Sequence, residues 1–93
     1  MVKQNVPGKS VRPIMIYTLS TCIWCKKLKS FLNDRGLEYS YIDMDLADEP
    51  ERSEALAELK KWNGSASYPT VVIDQKECIV GFDEQKIRKA LEL

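Results

Sequence analysis

The apolar run Ile14-Met15-Ile16-Tyr17 is followed, after a polar break at Ser20-Thr21, by a stretch with helical spacing. There Cys25, Leu28, Phe31 and Leu32 alternate with Lys26, Lys27, Lys29 and Asp34, and Gly36 supplies a stop. Leu37 to Asp43 then returns to a period of two, with Tyr39, Tyr41 and Asp43 opposite Glu38, Ser40 and Ile42. Strand, helix and strand in immediate succession leave the chain one practical arrangement, a right-handed crossover joining a parallel pair. The first strand is apolar at every position, as a strand covered on both faces must be.

The rest of the chain extends this unit. Asp48 is placed to cap a second helix with Pro50 in its first turn and Ala55, Leu56, Leu59 and Trp62 as its apolar stripe, ending at Asn63-Gly64. Thr70-Val71-Val72-Ile73 and Glu77-Cys78-Ile79-Val80 flank Asp74-Gln75-Lys76, a spacing for an antiparallel hairpin. Asp83 caps a last helix carrying Ile87, Ala90 and Leu91. The expected fold class is α/β with the order βαβαββα, a four-stranded mixed sheet flanked by helices. Residues 1–11 are polar, contain Pro7-Gly8 and show no sustained period, so they are expected to form a flexible leader without a fold of its own. The domain is expected at residues 12–93.

Composition narrows the function classes. Ninety-three residues, 44% of them apolar and 30% charged, suit one small globular domain. Fourteen basic residues balance fourteen acidic ones, so nucleic acid and anionic membranes find no global attraction. No apolar run approaches the ~18 residues of a spanning helix, and the first ten residues lack the apolar stretch of a signal peptide. The expected location is the cytoplasm.

Three cysteines and no histidine leave sulfur as the available chemistry. Cys22 and Cys25 form a C-x-x-C pair where a strand gives way to a helix. Unpaired N–H groups at a helix start favour an anion, so the Cys22 thiol is expected to ionise easily, with modest support from Lys26 and Lys27. Cys25 lies on the same helical face one turn deeper, at ~5–6 Å, within the separation a disulfide accepts. Cys22 would attack a disulfide and Cys25 would resolve the mixed disulfide. Two cysteines at this spacing also arise as small core residues, but the strand-turn-helix setting is the one the redox motif requires. A metal site needs more ligands than the chain obviously supplies. Trp24, between the cysteines, is expected to be exposed as an apolar platform, whereas Trp62 and Cys78 read as packing residues. The run Asp43, Asp45, Asp48, Glu49 fits no calcium loop and reads as a solvated helix start.

The segments Ile16-Tyr17-Thr18-Leu19-Ser20-Thr21-Cys22-Ile23-Trp24-Cys25, Ser67-Tyr68-Pro69-Thr70 and Val80-Gly81-Phe82-Asp83 together resemble the three hallmark segments of a glutaredoxin. The resemblance implies a thioredoxin fold, with Pro69 as the cis proline beside the thiols and the backbone of Tyr68 pairing with a substrate peptide. It implies substrate contacts at Thr21, Tyr68, Pro69, Gly81, Phe82 and Asp83, alongside Trp24. Leu19, Ile23-Trp24, Tyr68 and Phe82 depart from the usual family residues, and Phe82 crowds a turn that normally passes close to glutathione. Similar departures occur in glutaredoxin-like proteins reduced by thioredoxin reductase, including electron donors to ribonucleotide reductase. The implied activity is reduction of protein or glutathione mixed disulfides, with glutathione or thioredoxin reductase as the reducing partner and no tightly bound cofactor. A further reading is a [2Fe–2S] cluster held by Cys22 of two chains and two external thiols; Ile23 in place of Pro suits it and the bulk of Trp24 does not. The expected state is a monomer.

Overall fold

The computed structural model describes residues 3–93. Its elements are β1 (Lys3–Val6), β2 (Ile14–Thr18), α1 (Ile23–Asp34), β3 (Tyr39–Asp43), a short 3-10 turn (Met44–Leu46), α2 (Glu51–Trp62), β4 (Thr70–Ile73), β5 (Glu77–Val80) and α3 (Glu84–Leu91). The sheet runs β1-β3-β2-β4-β5. β2 lies parallel to β3 and antiparallel to β4, which pairs antiparallel with β5. The crossover and hairpin read from periodicity are therefore present, and β2 lies at the centre.

Alternation along β2 sends its side chains to two separate cores. Ile14 and Ile16 face α1 and α3, packing with Leu28, Phe31, Leu32, Ile73, Ile87 and Leu91. Tyr17 faces α2 and joins Ile42, Met44, Ala47, Leu59 and Val72. Each large apolar side chain so buried contributes about 1.5–3 kcal/mol of transfer free energy, set against the entropy of ordering the chain. Held from both faces, the carboxyl end of β2 is a rigid base for the turn that carries Cys22.

The sheet has five strands, not four, and the expected flexible leader supplies the fifth. β1 pairs antiparallel with β3, Lys3 opposite Ile42 and Val6 opposite Tyr39. Beyond it, the Lys9 N–H donates to Gly36 O at 2.8 Å and Lys9 O accepts from the Glu38 N–H at 2.9 Å. Gly8 passes so close to this backbone that a Cβ would lie 2.6 Å from Gly36 O. Backbone pairing and a close approach hold the segment; apolar burial does little, which is why its pattern is silent. The remainder of the leader, residues 1 and 2, lies outside the described residues.

Two smaller expectations also change. Asp48 does not cap α2: the helix starts after Pro50 without a side-chain cap, and Asp48 contributes only its carbonyl, 2.9 Å from the Arg52 N–H. Glu51 and Glu54 supply the negative charge that suits this helix start. In the hairpin, Asp74 and Gln75 both take positive φ, matching the twist of the flanking strands, and the Lys76 N–H closes on Ile73 O at 3.1 Å.

Candidate active site

After Thr18 the chain makes one tight turn, closed by the Cys22 N–H donating to Leu19 O at 3.2 Å. Cys22 keeps extended dihedrals and is the N-cap of α1. Its carbonyl accepts from the Lys26 N–H at 3.0 Å, the first turn of the helix, and its Sγ accepts from the Cys25 N–H at 3.3 Å. Sulfur thus occupies the position that Ser or Asp oxygens fill at other helix starts.

The two thiols are driven apart in acidity. Burial opposes charge on Cys22, but hydrogen bonds from the Cys25 side chain and from the N–H groups of Cys25 and Trp24 outweigh it, and its pKa falls below the ordinary thiol value. The sulfur is half-buried and stays reachable. Cys25 is fully buried, and burial, then its hydrogen bond to Cys22, push its thiol up to about 12. Hydrogen bonds are the causes that lower Cys22, and of the two lysines expected to support it Lys27 places its Nζ 4.4 Å from the centre of the Trp24 ring.

Beneath Cys25 lies a polar network that the sequence did not signal. Lys29, one turn along α1, places its ammonium 3.0 Å from Asp43 Oδ1 and 4.0 Å from the Tyr41 ring centre. The same Asp43 oxygen accepts from the buried Thr18 hydroxyl at 2.6 Å, so β2, β3 and α1 are joined directly below the cysteines. Lys29 partly offsets the rise in the Cys25 pKa. Asp45 accepts from the Ser20 N–H at 2.8 Å and from the Ser20 hydroxyl, which fixes the turn before Thr21 and holds the Asp45 carboxyl below its usual range. Two members of the acidic run, expected to form a solvated helix start, are thus structural partners.

The other implied site residues are distributed unevenly. The Tyr68–Pro69 peptide bond is cis, and Pro69 is buried. The Tyr68 hydroxyl is pushed up chiefly by burial. Gly81, with φ of 81°, donates its N–H to Pro69 O at 2.7 Å and so belongs to the same corner. Thr21 and Trp24 are exposed beside Cys22. Phe82 turns its ring to Phe31, 5.7 Å between centres, and packs against the α1/α3 core. Asp83 accepts from the Lys86 N–H at 3.1 Å as the cap of α3. Among the described residues no hydrogen bond, ion pair or ring contact ties Phe82 or Asp83 to either cysteine. Cys78 is half-buried on β5, with its thiol pushed up by burial.

A metal ion or cluster does not fit the donors of a single chain. No group of three cysteine, aspartate or glutamate side chains able to hold a metal ion occurs among the described residues. Cys22 offers one reachable thiol and Cys25 is buried, so one chain supplies one of the four ligands an iron–sulfur cluster takes, the share that a cluster between two chains and two external thiols would ask of it. No helix among the described residues is long and apolar enough to cross a membrane.

A mixed sheet with this crossover, a C-x-x-C pair opening α1 and a cis proline before β4 define a thioredoxin-fold dithiol protein. The glutaredoxin family profile matches residues 14–78. The chain is 35% identical over 79 residues to a glutaredoxin-like 8.6 kDa protein of the rubredoxin operon of Clostridium pasteurianum, covering 85% of this chain and 97% of that one. The crystal structure of methanoredoxin from Methanosarcina acetivorans superposes with a TM-score of 0.88 at 42% identity, covering 92% of this chain and 90% of that one. A glutaredoxin from Methanosarcina mazei superposes with a TM-score of 0.90 at 38% identity, covering 100% and 90%. The chain belongs to the glutaredoxin family, a family of thiol-disulfide oxidoreductases.

Proposed function

We propose that this protein reduces disulfides through Cys22 and Cys25. The observation that carries the reading is the split between the thiols: one reachable sulfur stabilised as an anion at a helix start, and a buried one held protonated a turn below it. The Cys22 thiolate attacks one sulfur of a substrate disulfide, breaking that bond and releasing the first substrate thiolate, which takes up a proton. Cys25 then gives up its proton and attacks Cys22 Sγ, releasing the second thiol and leaving a Cys22–Cys25 disulfide. Two electrons from outside the chain restore the dithiol.

Two donors fit this last step, glutathione and a thioredoxin reductase. Leu19 and Phe82 stand where the family usually presents a lysine and a second glycine, and Phe82 is committed to Phe31. That favours a flavoprotein reductase over glutathione. The cycle belongs in the reducing cytoplasm, where an unpaired dithiol persists, and the protein works as a monomer with no resident cofactor.

Cys22→Ser should abolish disulfide reduction, whereas Cys25→Ser should stall at the mixed disulfide. Unchanged turnover in Cys22→Ser refutes the reading. Comparing NADPH oxidation with thioredoxin reductase against glutathione plus glutathione reductase identifies the donor.

A further inference from the structure

We propose that the disulfide presented to Cys22 belongs to a polypeptide whose reactive cysteine is flanked by an apolar side chain and a carboxylate. The proposal rests on the redox reading above and specifies its substrate. Among the described residues six large apolar side chains are exposed, and three of them lie on segments joined at the Cys22 turn: Ile23 at 64%, Trp24 at 54% and Leu46 at 63%. Ile23 and Trp24 open α1. Leu46 follows Asp45, which is bonded to Ser20, two residues before Cys22. Apolar surface gathered near one reactive atom marks a contact site, where scattered exposed leucines would not. A small thiol such as glutathione carries no large apolar side chain to cover it.

The charge around this surface is one-sided on the α1 flank. The first turn of α1 contains no acidic residue, and it is followed at once by Lys26 and Lys27. Neither ammonium lies within 4 Å of a carboxylate among the described residues. Lys27 rests over the Trp24 ring, so the apolar platform and an unpaired cation form one unit. Asp45 has both oxygens engaged by Ser20 and is committed within the chain. The complement of this surface is an apolar side chain against Ile23 and Trp24 with a carboxylate next to it meeting Lys27.

The test uses peptide disulfides of 5-thio-2-nitrobenzoate, whose release reports attack by Cys22. Three peptides differ only in the two residues after cysteine, Leu-Glu, Leu-Lys or Ser-Ser, and the glutathione disulfide of the same chromophore is the fourth probe. The Leu-Glu peptide should react about tenfold faster than either other peptide and faster than the glutathione probe. Lys27→Glu should invert the order of Leu-Glu and Leu-Lys, and Trp24→Ala should shrink the advantage over Ser-Ser. Equal rates for all four probes, or the glutathione probe reacting fastest, overturns the inference while leaving the redox reading intact. No release from any probe overturns both.

Discussion

The backbone N–H of Cys25 donates to Cys22 Sγ at 3.3 Å, so the residue that stays protonated helps to stabilise its partner's charge. The two functions demanded of a dithiol, easy attack and delayed resolution, are thus set by one turn of helix. Alkylation with iodoacetamide should show a single reactive cysteine, Cys22, with its rate rising below pH ~8.5, the value for a free thiol. Cys25 should resist modification in the native state throughout that range. Equal labelling of the two cysteines at neutral pH contradicts the assignment.

The same split makes stability depend on pH. The Cys22 pKa is lowered on folding, so its contribution grows as pH rises from its folded value to the unfolded one. The Cys25 pKa is raised to about 12, so folding favours its protonated form, and that contribution is lost once the unfolded chain begins to ionise. Urea unfolding of the reduced protein should therefore show stability falling above pH ~8.5, with the loss continuing toward the folded Cys25 value. Cys25→Ala should shrink this alkaline loss, to which the raised Cys78 and Tyr68 also contribute, and should blunt the rise at lower pH because Cys22 loses the hydrogen bond from the Cys25 side chain. An alkaline limb unchanged in that variant shows that another group causes it.

Lys29 and Asp43 form a half-buried pair, with side chains 21% and 15% exposed. Lys29→Met keeps the apolar stem but leaves Asp43 with only the Thr18 hydroxyl as donor, and it removes the cation that eases ionisation of Cys25. The expected cost is about 1–3 kcal/mol of stability, from stranding a poorly solvated carboxylate. Resolution of a Cys22 mixed disulfide should also slow and require higher pH, with the first attack unchanged. A variant that loses stability but resolves at the native rate and pH would make Lys29 purely structural.

Apolar periodicity decides which parts of the fold and site are legible in the sequence. β2, α1, the β4–β5 hairpin and α3 bury one face or both, so their patterns are plain, and Cys22 and Cys25 come with them. β1 buries almost nothing and is held by backbone bonds to β3, which no side-chain pattern records. Asp43 and Asp45 look like any acidic run until β3 and α1 bring Lys29 to one and Ser20 to the other, contacts of long sequence separation. Phe82 reads in sequence as crowding a substrate, but its ring goes to Phe31, toward the far end of α1 from the thiols.

The close passage of Gly8 gives a direct test of the fifth strand. A methyl group at that position would sit 2.6 Å from Gly36 O and 2.8 Å from the Leu37 carbonyl carbon, both backbone atoms that cannot swing aside. Gly8→Ala should force the Pro7–Lys9 segment off the α1–β3 connection, with a cost of about 1–3 kcal/mol typical of overpacking. Amide exchange should quicken at Lys9 and Glu38, whose N–H groups bond across this contact. Exchange at Ile16 and Val71, at the centre of the sheet, should slow or quicken only with global stability. Unchanged exchange at Lys9 and Glu38 would mean the leader is not pinned there.

Asp83 separates two roles that a single alanine variant would confuse. Its carboxylate caps α3 through the Lys86 N–H at 3.1 Å, and the family resemblance also gives it a substrate contact. Asp83→Ala should lower stability by about 1 kcal/mol through loss of the cap, lowering activity with it at elevated temperature. Asp83→Asn keeps an oxygen for the Lys86 N–H and removes the charge, so it should retain most of the stability. If charge at this position meets the amino group of a substrate, Asp83→Asn raises KM for that substrate with kcat preserved; if the residue is only a cap, Asp83→Asn matches the unmodified protein in both. The cap is visible in the hydrogen bond to the Lys86 N–H, and the KM of Asp83→Asn decides whether a substrate contact is added to it.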